Sequence, residues 1–214
     1  MTHLPFANRE EAAYELAKAL GHYKGQNPLL LAIPRGAVPM GAIIAAELQG
    51  DLDVALVRKI GAPGNAELAV GAIDEEGHIE LNDIAHLLRL SEHYIQEASA
   101  KELAKIRERR ARYTPVYRQL SPENRVVIIV DDGIATGATM LTAVHATQRK
   151  KPEKVVVAAA VASMEAAERL QQAADETVFL AIPPDFGAVG AYFIDFRQVE
   201  DDEVITMLKN FGSP

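Results

Sequence analysis

The strongest constraint on the fold is a set of short apolar segments, rich in Val, Ile and Leu, that recur at wide intervals along the chain. They lack the strict alternation of a strand with one wet face, which predicts strands buried on both faces. Helical segments separate most of them, and this order predicts an α/β fold with a twisted, mostly parallel sheet and helices on both faces. The expected strands are Leu29–Ile33, Val54–Val57, Val126–Val130, Val155–Val161 and the weaker Val178–Ile182. The expected helices are Val38–Leu48, Ser91–Tyr113, Ala138–Arg149 and Ser163–Ala174.

Length and local composition indicate how the chain is organised. The 214 residues suit one domain with a full core, and no repeat or flexible linker divides them, so we expect a single domain over residues 1–214. Between about residues 58 and 82, glycines and a proline punctuate short strand-like pieces. This pattern predicts a flap that stands off the sheet. The strand-like pieces are Glu67–Ile73 and His78–Leu81.

Charge and hydropathy exclude several classes of function. The chain has 22 Lys and Arg against 30 Asp and Glu, a net charge of −8. We expect no nucleic-acid partner, because phosphate neutralisation needs a basic face. The single basic cluster, residues 107–112, is typical of a helix C-terminus. The longest apolar run, Val155–Ala162, is too short to span a bilayer, so we expect no membrane association.

The absence of cysteine limits the available chemistry. It excludes disulfides, a thiolate nucleophile and Cys-ligated metal sites, and it fits a reducing cytoplasm, which is the expected location. Charged residues precede any apolar stretch, so no signal peptide is expected. The six histidines have no metal-ligand spacing, and we expect no metal held by protein ligands.

The segment from Val126 to Met140 carries the most chemical information. A buried strand ends in two carboxylates, Asp131 and Asp132, and a turn of small residues then leads into a helix. Ligands of open α/β sheets sit at the carboxyl ends of strands, and a helix start offers N–H groups to a phosphate. Carboxylates accept hydrogen bonds from sugar hydroxyls. A ribose with a 5′-phosphate satisfies both halves of the segment.

This segment resembles the phosphoribosyl-diphosphate-binding signature of type I phosphoribosyltransferases, in which a hydrophobic strand and two acidic residues precede a Thr- and Gly-rich loop. Almost the whole chain is similar to a bacterial group of predicted phosphoribosyltransferases of undefined substrate. The resemblance implies the core fold of that superfamily, with a small hood over about residues 183–200. Outside the signature it rests on residues 33–36, 58–65, 67, 71–72 and 186–196.

The resemblance assigns residues to phosphoribosyl diphosphate. Asp131 and Asp132 would hold the ribose 2′- and 3′-hydroxyls. The diphosphate loop would follow the first strand, with Ala37 where the group commonly has a second glycine. The residues assigned to diphosphate are Arg35, Gly36 and Ala37, and those assigned to the 5′-phosphate are Ala135, Thr136, Gly137, Ala138 and Thr139.

The flap opens with two adjacent cations, Arg58 and Lys59, at the end of the second expected strand. They suit a mobile lid that neutralises the charge developing as diphosphate leaves. Magnesium is the expected cofactor, and it would be bound mainly through the diphosphate and ribose oxygens rather than by a protein cage. Glu67 is the first candidate for an acid or base.

The hood would supply the base-binding residues. In purine-type members of the superfamily an aromatic side chain of this segment stacks on the base. The resemblance gives that role to Phe186, with Val189 beside it. The alternative is a buried aromatic cluster, since a hood needs a small core of its own.

These residues predict transfer of a phosphoribosyl group from phosphoribosyl diphosphate to a nitrogen nucleophile of a small acceptor, with release of diphosphate. Hypoxanthine–guanine members carry an Asp where Ala135 stands, so we expect a nucleobase other than hypoxanthine or guanine. A homodimer is the expected assembly. The alternative is a non-catalytic regulator that binds phosphoribosyl diphosphate or a nucleotide with the same fold. The residues expected to carry catalysis are Asp131, Asp132, Arg58, Lys59 and Glu67.

Overall fold

The computed structural model describes residues 4–113 and 119–212, apart from the side chain of Glu67. Numbered along the chain, the strands of the core sheet are β1 (Leu29–Ala32), β2 (Asp51–Val54), β6 (Val126–Ile134), β7 (Lys154–Ala162) and β8 (Glu176–Ala181). All neighbours are parallel, in the order β2-β1-β6-β7-β8. The predicted α/β class with a parallel sheet is therefore confirmed.

Helices cover both faces of this sheet. Val127 and Ile128 are neighbours on β6 and both fully buried, yet they belong to opposite layers of the core. The layer of Ile128 contains α1 (Arg9–Ala19), α2 (Val38–Leu48) and α7 (Asp201–Gly212), and that of Val127 contains α5 (Ala138–Gln148) and α6 (Met164–Ala173). A strand packed on both faces has no room for alternating polar residues, which explains its continuous apolar sequence.

The flap forms a second, antiparallel sheet with its own strands, β3 (Val57–Ala62), β4 (Asn65–Asp74) and β5 (Ile79–Leu81). A turn at Pro63–Gly64 joins β3 to β4, and Gly64 has φ +73°, a conformation that favours glycine. Two helices follow the flap sheet along the chain, α3 (Asp83–Leu87) and α4 (Glu92–Tyr113). Within residues 4–113 and 119–212, no helix combines the length and the apolar character needed to cross a membrane.

The second core strand differs from the prediction. The expected strand Val54–Val57 is split, because Val54 ends β2 and Val57 begins β3 of the other sheet. Arg58 and Lys59 therefore lie within the flap sheet and not at the end of a core strand. The acidic residues Asp51 and Asp53 concealed the apolar character of β2 in the sequence.

The flap is docked on two helices. Arg58 forms an ion pair with Glu102 of α4, and the Tyr94 hydroxyl of the same helix donates to the Gly61 carbonyl at 2.8 Å. On the other side, Glu80 of β5 lies 2.6 Å from His145 Nδ1 of α5. These contacts hold the flap sheet against the body of the protein.

A buried ion pair joins the core sheet to the flap and to α4. Asp53 is 2% exposed, and burial raises the pKa of its carboxyl, although the Leu120 amide and the Arg110 guanidinium act in the opposite direction. Arg110 Nη1 lies 3.5 Å from Asp53 Oδ1, while its Nε and Nη2 donate to Glu75 at 2.6 and 2.9 Å. One guanidinium thus compensates a carboxylate of the core sheet and a carboxylate of the turn that follows β4.

We expect Arg110→Met to lower the free energy of unfolding by about 3–5 kcal/mol, because it leaves the buried Asp53 without its cation. Urea denaturation followed by circular dichroism measures the change. Lys101→Met is the matched control, since Lys101 of the same helix pairs with Glu97 at the surface and should cost less than about 1 kcal/mol. Equal losses in the two variants would contradict this role of Arg110.

Candidate active site

The site is built around the carboxyl end of β6. Asp131 and Asp132 follow five buried residues of β6, near the end of a strand that continues to Ile134. The Asp132 amide donates to Asp131 Oδ1 at 2.9 Å. Burial raises the pKa of the Asp131 carboxyl well above its usual range, and the charge of Asp132 adds to this effect. Burial also raises the pKa of Asp132, but Arg9 opposes that shift.

Arg9 is a site residue that sequence reasoning missed. It is the first residue of α1, and its Nε and Nη2 both lie 2.9 Å from Asp132 Oδ2. Its Nη1 donates to the Arg197 carbonyl at 2.8 Å, and its guanidinium carbon lies 3.8 Å from the centroid of the Phe196 ring. A cation in the first turn of a helix opposes the dipole, and this was the available signal.

The loop between β6 and α5 has the shape of an anion site. Ala135 and Thr136 are exposed, and Gly137 has φ +75° at the N-cap of α5. Within residues 4–113 and 119–212, no side chain caps this helix, so its first N–H groups, including those of Ala138 and Thr139, lack intrahelical partners. The loop is held from behind by Ser163, whose hydroxyl donates to the Ala135 carbonyl at 2.6 Å.

The loop between β1 and α2 touches the carboxylates directly. A Cβ on Gly36 would lie 2.4 Å from Asp132 Oδ2 and 3.1 Å from Arg9 Nη2, so only glycine fits there. Arg35, the preceding residue, places its Nη1 3.2 Å from Glu200 Oε2 in an ion pair at the surface. The structure therefore brings this loop and the Asp131–Asp132 pair together.

Two chain segments, one around Phe6 and one within the expected hood, meet beside the carboxyl end of β6. Phe6 bridges to Phe193, with its amide donating to the Tyr192 carbonyl at 2.9 Å. Val189 packs on the strand end, since a Cβ on Gly133 would lie 2.4 Å from its Cγ1. The Phe186 ring is partly buried and lies 5.4 Å from the ring of Tyr192. Val189 thus adjoins the carboxylate pair, and Phe186 belongs to the aromatic cluster of the hood.

The flap residues are placed differently from the rest of the expected site. Arg58 is turned to Glu102 of α4, and Lys59 is exposed on β3. Glu67 lies in β4, but its side chain is outside the described part of the structure. The participation of these three residues in the site remains a prediction.

A further cluster of ligand-type side chains, Asp74, Glu76 and His78, lies at the turn between β4 and β5. Asp74 is 2% exposed, and its Oδ1 accepts from the amides of Glu76 and His78 at 2.9 Å each. Its Oδ2 is engaged by Arg149. The Asp74 carboxylate thus serves to close the turn and to join it to α5.

Comparison with known proteins identifies the family of this chain. The phosphoribosyl transferase domain matches residues 6–192. The chain belongs to this family. It is 37% identical over 204 residues to two Mycobacterium tuberculosis proteins, from strains CDC 1551 and H37Rv, that are provisionally named phosphoribosyl transferases. The match covers 95% of this chain but only 46% of those relatives, so the chain spans about half of their length.

A solved structure of similar size supports the fold. The crystal structure of TT1426 from Thermus thermophilus matches with a TM-score of 0.85 and 41% identity, over 98% of this chain and 100% of that one. The predicted membership of the phosphoribosyltransferase superfamily is confirmed. The family match, residues 6–192, includes both loops, the carboxylate pair and the Phe6 and Val189 contacts of the hood.

The sequence departs from the pattern of this phosphoribosyl transferase group at Ala37. Ala37 stands where a second glycine is common, which would be costly if the backbone were left-handed. Ala37 has φ −82° and is fully buried at the start of α2. The position is right-handed, so alanine is accommodated without backbone strain.

We expect Asp131→Asn to stabilise the fold at neutral pH. A carboxyl whose folded-state pKa is raised favours folding below its ordinary pKa of 3.8 and loses that contribution as pH rises through the folded-state pKa. At pH 7 the buried charge is therefore a cost, and Asn keeps an acceptor for the Asp132 amide. A gain of about 1 kcal/mol would raise the Tm by roughly 2–4 °C.

Thermal melts from pH 3 to 8 provide the measurement, and the gain should vanish near the acidic end. Asp51→Asn is the control, because Asp51 is exposed and pairs with Arg125 at the opposite edge of the sheet. A Tm for Asp131→Asn at or below that of the wild type at pH 7 would contradict the expectation.

Proposed function

We propose that this protein transfers a phosphoribosyl group from phosphoribosyl diphosphate to a nitrogen nucleophile and releases diphosphate. One observation carries the proposal. The short segment from β6 to α5 combines two adjacent carboxylates with a helix start that no described side chain caps. Carboxylates accept from ribose hydroxyls, and the helix start donates to a 5′-phosphate. A ribose 5-phosphate group carries both the vicinal diol and the phosphate that these two features would bind.

The proposed roles divide the substrate between the end of β6 and two loops. Asp131 and Asp132 accept from the ribose 2′- and 3′-hydroxyls, and residues 135–139 bind the 5′-phosphate. Arg35 with the Gly36 and Ala37 backbone faces the diphosphate, for which Arg35 must exchange its surface partner Glu200. An exposed ion pair of this kind is worth about 0–1 kcal/mol, so a diphosphate can displace it.

The donor atoms of the site fit magnesium. The polar side chains at the β6 end offer carboxylate oxygens, which this cation prefers. Asp132 Oδ2 already accepts two N–H groups from Arg9, so the ion is proposed to be held mainly by the diphosphate and ribose oxygens. When bound, magnesium supplies charge neutralisation for the departing diphosphate.

Further cations are proposed from the flap. Arg58 and Lys59 stand on β3, and we propose that they approach the diphosphate as a lid. Arg58 would first have to leave Glu102, to which it is paired. Glu67 remains the first candidate for an acid or base.

The acceptor is proposed to be a nucleobase other than hypoxanthine or guanine. Ala135 is exposed in the 5′-phosphate loop and has no titratable group. Since a general base must lie within hydrogen-bond reach of the proton it moves, this loop offers none to a 6-oxopurine. Phe186 and Val189 of the hood are the proposed contacts of the base. A cytoplasmic homodimer is the proposed form of the protein.

A regulator that binds the same ligand without turnover is the second candidate. Its nucleic-acid-binding form finds little support in the basic cluster of α4. Arg110 is paired with Asp53 and Glu75, while Arg109 and Arg112 both contact Asp201. These arginines serve internal ion pairs and leave little positive charge for phosphates.

Calorimetry with phosphoribosyl diphosphate and magnesium tests the ligand. We expect the wild-type protein to bind and the double variant Asp131→Asn, Asp132→Asn to lose at least about a hundredfold in affinity. Each charge-assisted hydrogen bond is worth roughly 1.5–3 kcal/mol. Asp51→Asn should bind like the wild type. Unchanged affinity in the double variant would place the ribose elsewhere.

Steady-state rates with hypoxanthine, guanine, adenine, uracil and orotate test the acceptor, with diphosphate release as the readout. We expect hypoxanthine and guanine to react at least about a hundredfold more slowly than the best base, the usual contribution of a general base. Efficient turnover of either would contradict the argument from Ala135. Ligand binding without turnover of any base would favour the regulator.

A further inference from the structure

We infer that Arg9 is a positioning residue for ribose recognition, which fixes the Asp132 carboxylate in one orientation and ties it to the hood. The inference rests on the proposed function, because it concerns the same carboxylate. It goes beyond that function by giving a role to a residue outside the binding signature and outside both phosphate loops.

The guanidinium of Arg9 is held on every side. Two of its nitrogens lie 2.9 Å from Asp132 Oδ2, and the third donates to the Arg197 carbonyl at 2.8 Å. Its flat face lies 3.8 Å from the Phe196 ring centroid. The Arg9 and Asp132 side chains are only 12% and 14% exposed. These contacts restrict the Arg9 guanidinium to one position. The Asp132 carboxylate that it binds is restricted in the same way.

The consequence for Asp132 is a carboxylate whose two oxygens differ. Oδ2 accepts two N–H groups from Arg9, whereas within the described residues no cationic side chain donates to Oδ1. Gly36 lies against the Oδ2 side, where even a Cβ would clash at 2.4 Å. The carboxylate therefore cannot turn without losing Arg9 or striking the diphosphate loop, and Oδ1 is the oxygen presented to a hydroxyl.

Arg9 also balances charge at the strand end. The charged groups acting on Asp132 are Arg9 from α1 and Asp131 from its own strand, while the Gly133 amide adds a hydrogen bond that favours the ionised form. Two adjacent carboxylates in a partly buried place repel each other, so a nearby cation favours the ionised form. Arg9 opposes the rise in the pKa of Asp132 that burial causes.

Anchoring of α1 does not require this arginine. The helix begins with a capping bond from the Glu11 amide to Asn8 Oδ1 at 2.9 Å. Its apolar face is buried through Ala12, Ala13, Leu16 and Ala17. A cation at the first helical position is, if anything, unfavourable for the helix. The contact with Asp132 explains why an arginine stands at position 9.

The test compares Arg9→Met and Arg9→Lys with the control Arg125→Met by calorimetry, using phosphoribosyl diphosphate and inorganic diphosphate as separate probes with magnesium. Arg125 likewise bridges a carboxylate and a carbonyl, those of Asp51 and Asn27, but at the other edge of the sheet. Circular dichroism melts of all variants report their stability.

We expect Arg9→Met to lower the affinity for phosphoribosyl diphosphate at least about tenfold, which is the scale of one charge-assisted interaction. Its affinity for inorganic diphosphate should stay within about twofold, because that ligand does not use Asp132. Arg9→Lys should recover part of the loss, since it keeps the charge but not the forked geometry. Arg125→Met should bind both probes like the wild type.

Three results would overturn the inference while leaving the proposed function in place. These are unchanged binding by Arg9→Met, equal losses for both probes, and equal impairment of Arg9→Met and Arg9→Lys. Failure of the wild-type protein to bind phosphoribosyl diphosphate would overturn the proposed function and the inference with it. The wild-type titration therefore separates the two.

Discussion

Two adjacent carboxyl groups near the end of a buried strand determine how the surrounding elements are arranged. β6 has a helical layer on each face, which favours apolar side chains. Its two acidic residues come directly after Val130, where pairing with β1 ends while pairing with β7 continues to Ile134. At that point burial opposes the ionisation of Asp131 and Asp132. Arg9 of α1 binds Asp132, and Gly36 of the β1–α2 loop lies against the same carboxylate. The β6–α5 loop follows this carboxylate along the chain, so two loops and the start of α1 meet at one place.

The parts that could be predicted from sequence are those encoded by neighbouring residues. The β6 strand, its terminal Asp131 and Asp132 and the helix from Ala138 follow one another without interruption, and each has a local signal. α2 was predicted with its observed bounds because Leu29–Ala32, a short loop and Val38–Leu48 are equally contiguous. In each case the apolar pattern and the turn residues are decided within about a dozen positions.

The parts that could not be predicted depend on partners far apart in sequence. Arg9 and Asp132 are 123 positions apart, and Arg35 and Glu200 are 165 apart. The strand β2 was missed because Asp51 and Asp53 make it look polar. Two partners of Asp53, the Leu120 amide and the Arg110 guanidinium of α4, are distant in sequence. In the sequence, such residues look like ordinary surface charges, because the local pattern gives no information about tertiary contacts.

The hydroxyl of Ser163 has a consequence for the energetics of the β6–α5 loop. It donates to the Ala135 carbonyl at 2.6 Å and at the same time accepts the Ala166 amide at 3.0 Å to begin α6. The loop is thus ordered by the same hydroxyl that starts a helix of the core. The conformational entropy of this segment is lost when the chain folds, so an arriving anion meets N–H groups that are already aligned and bears little of that cost itself.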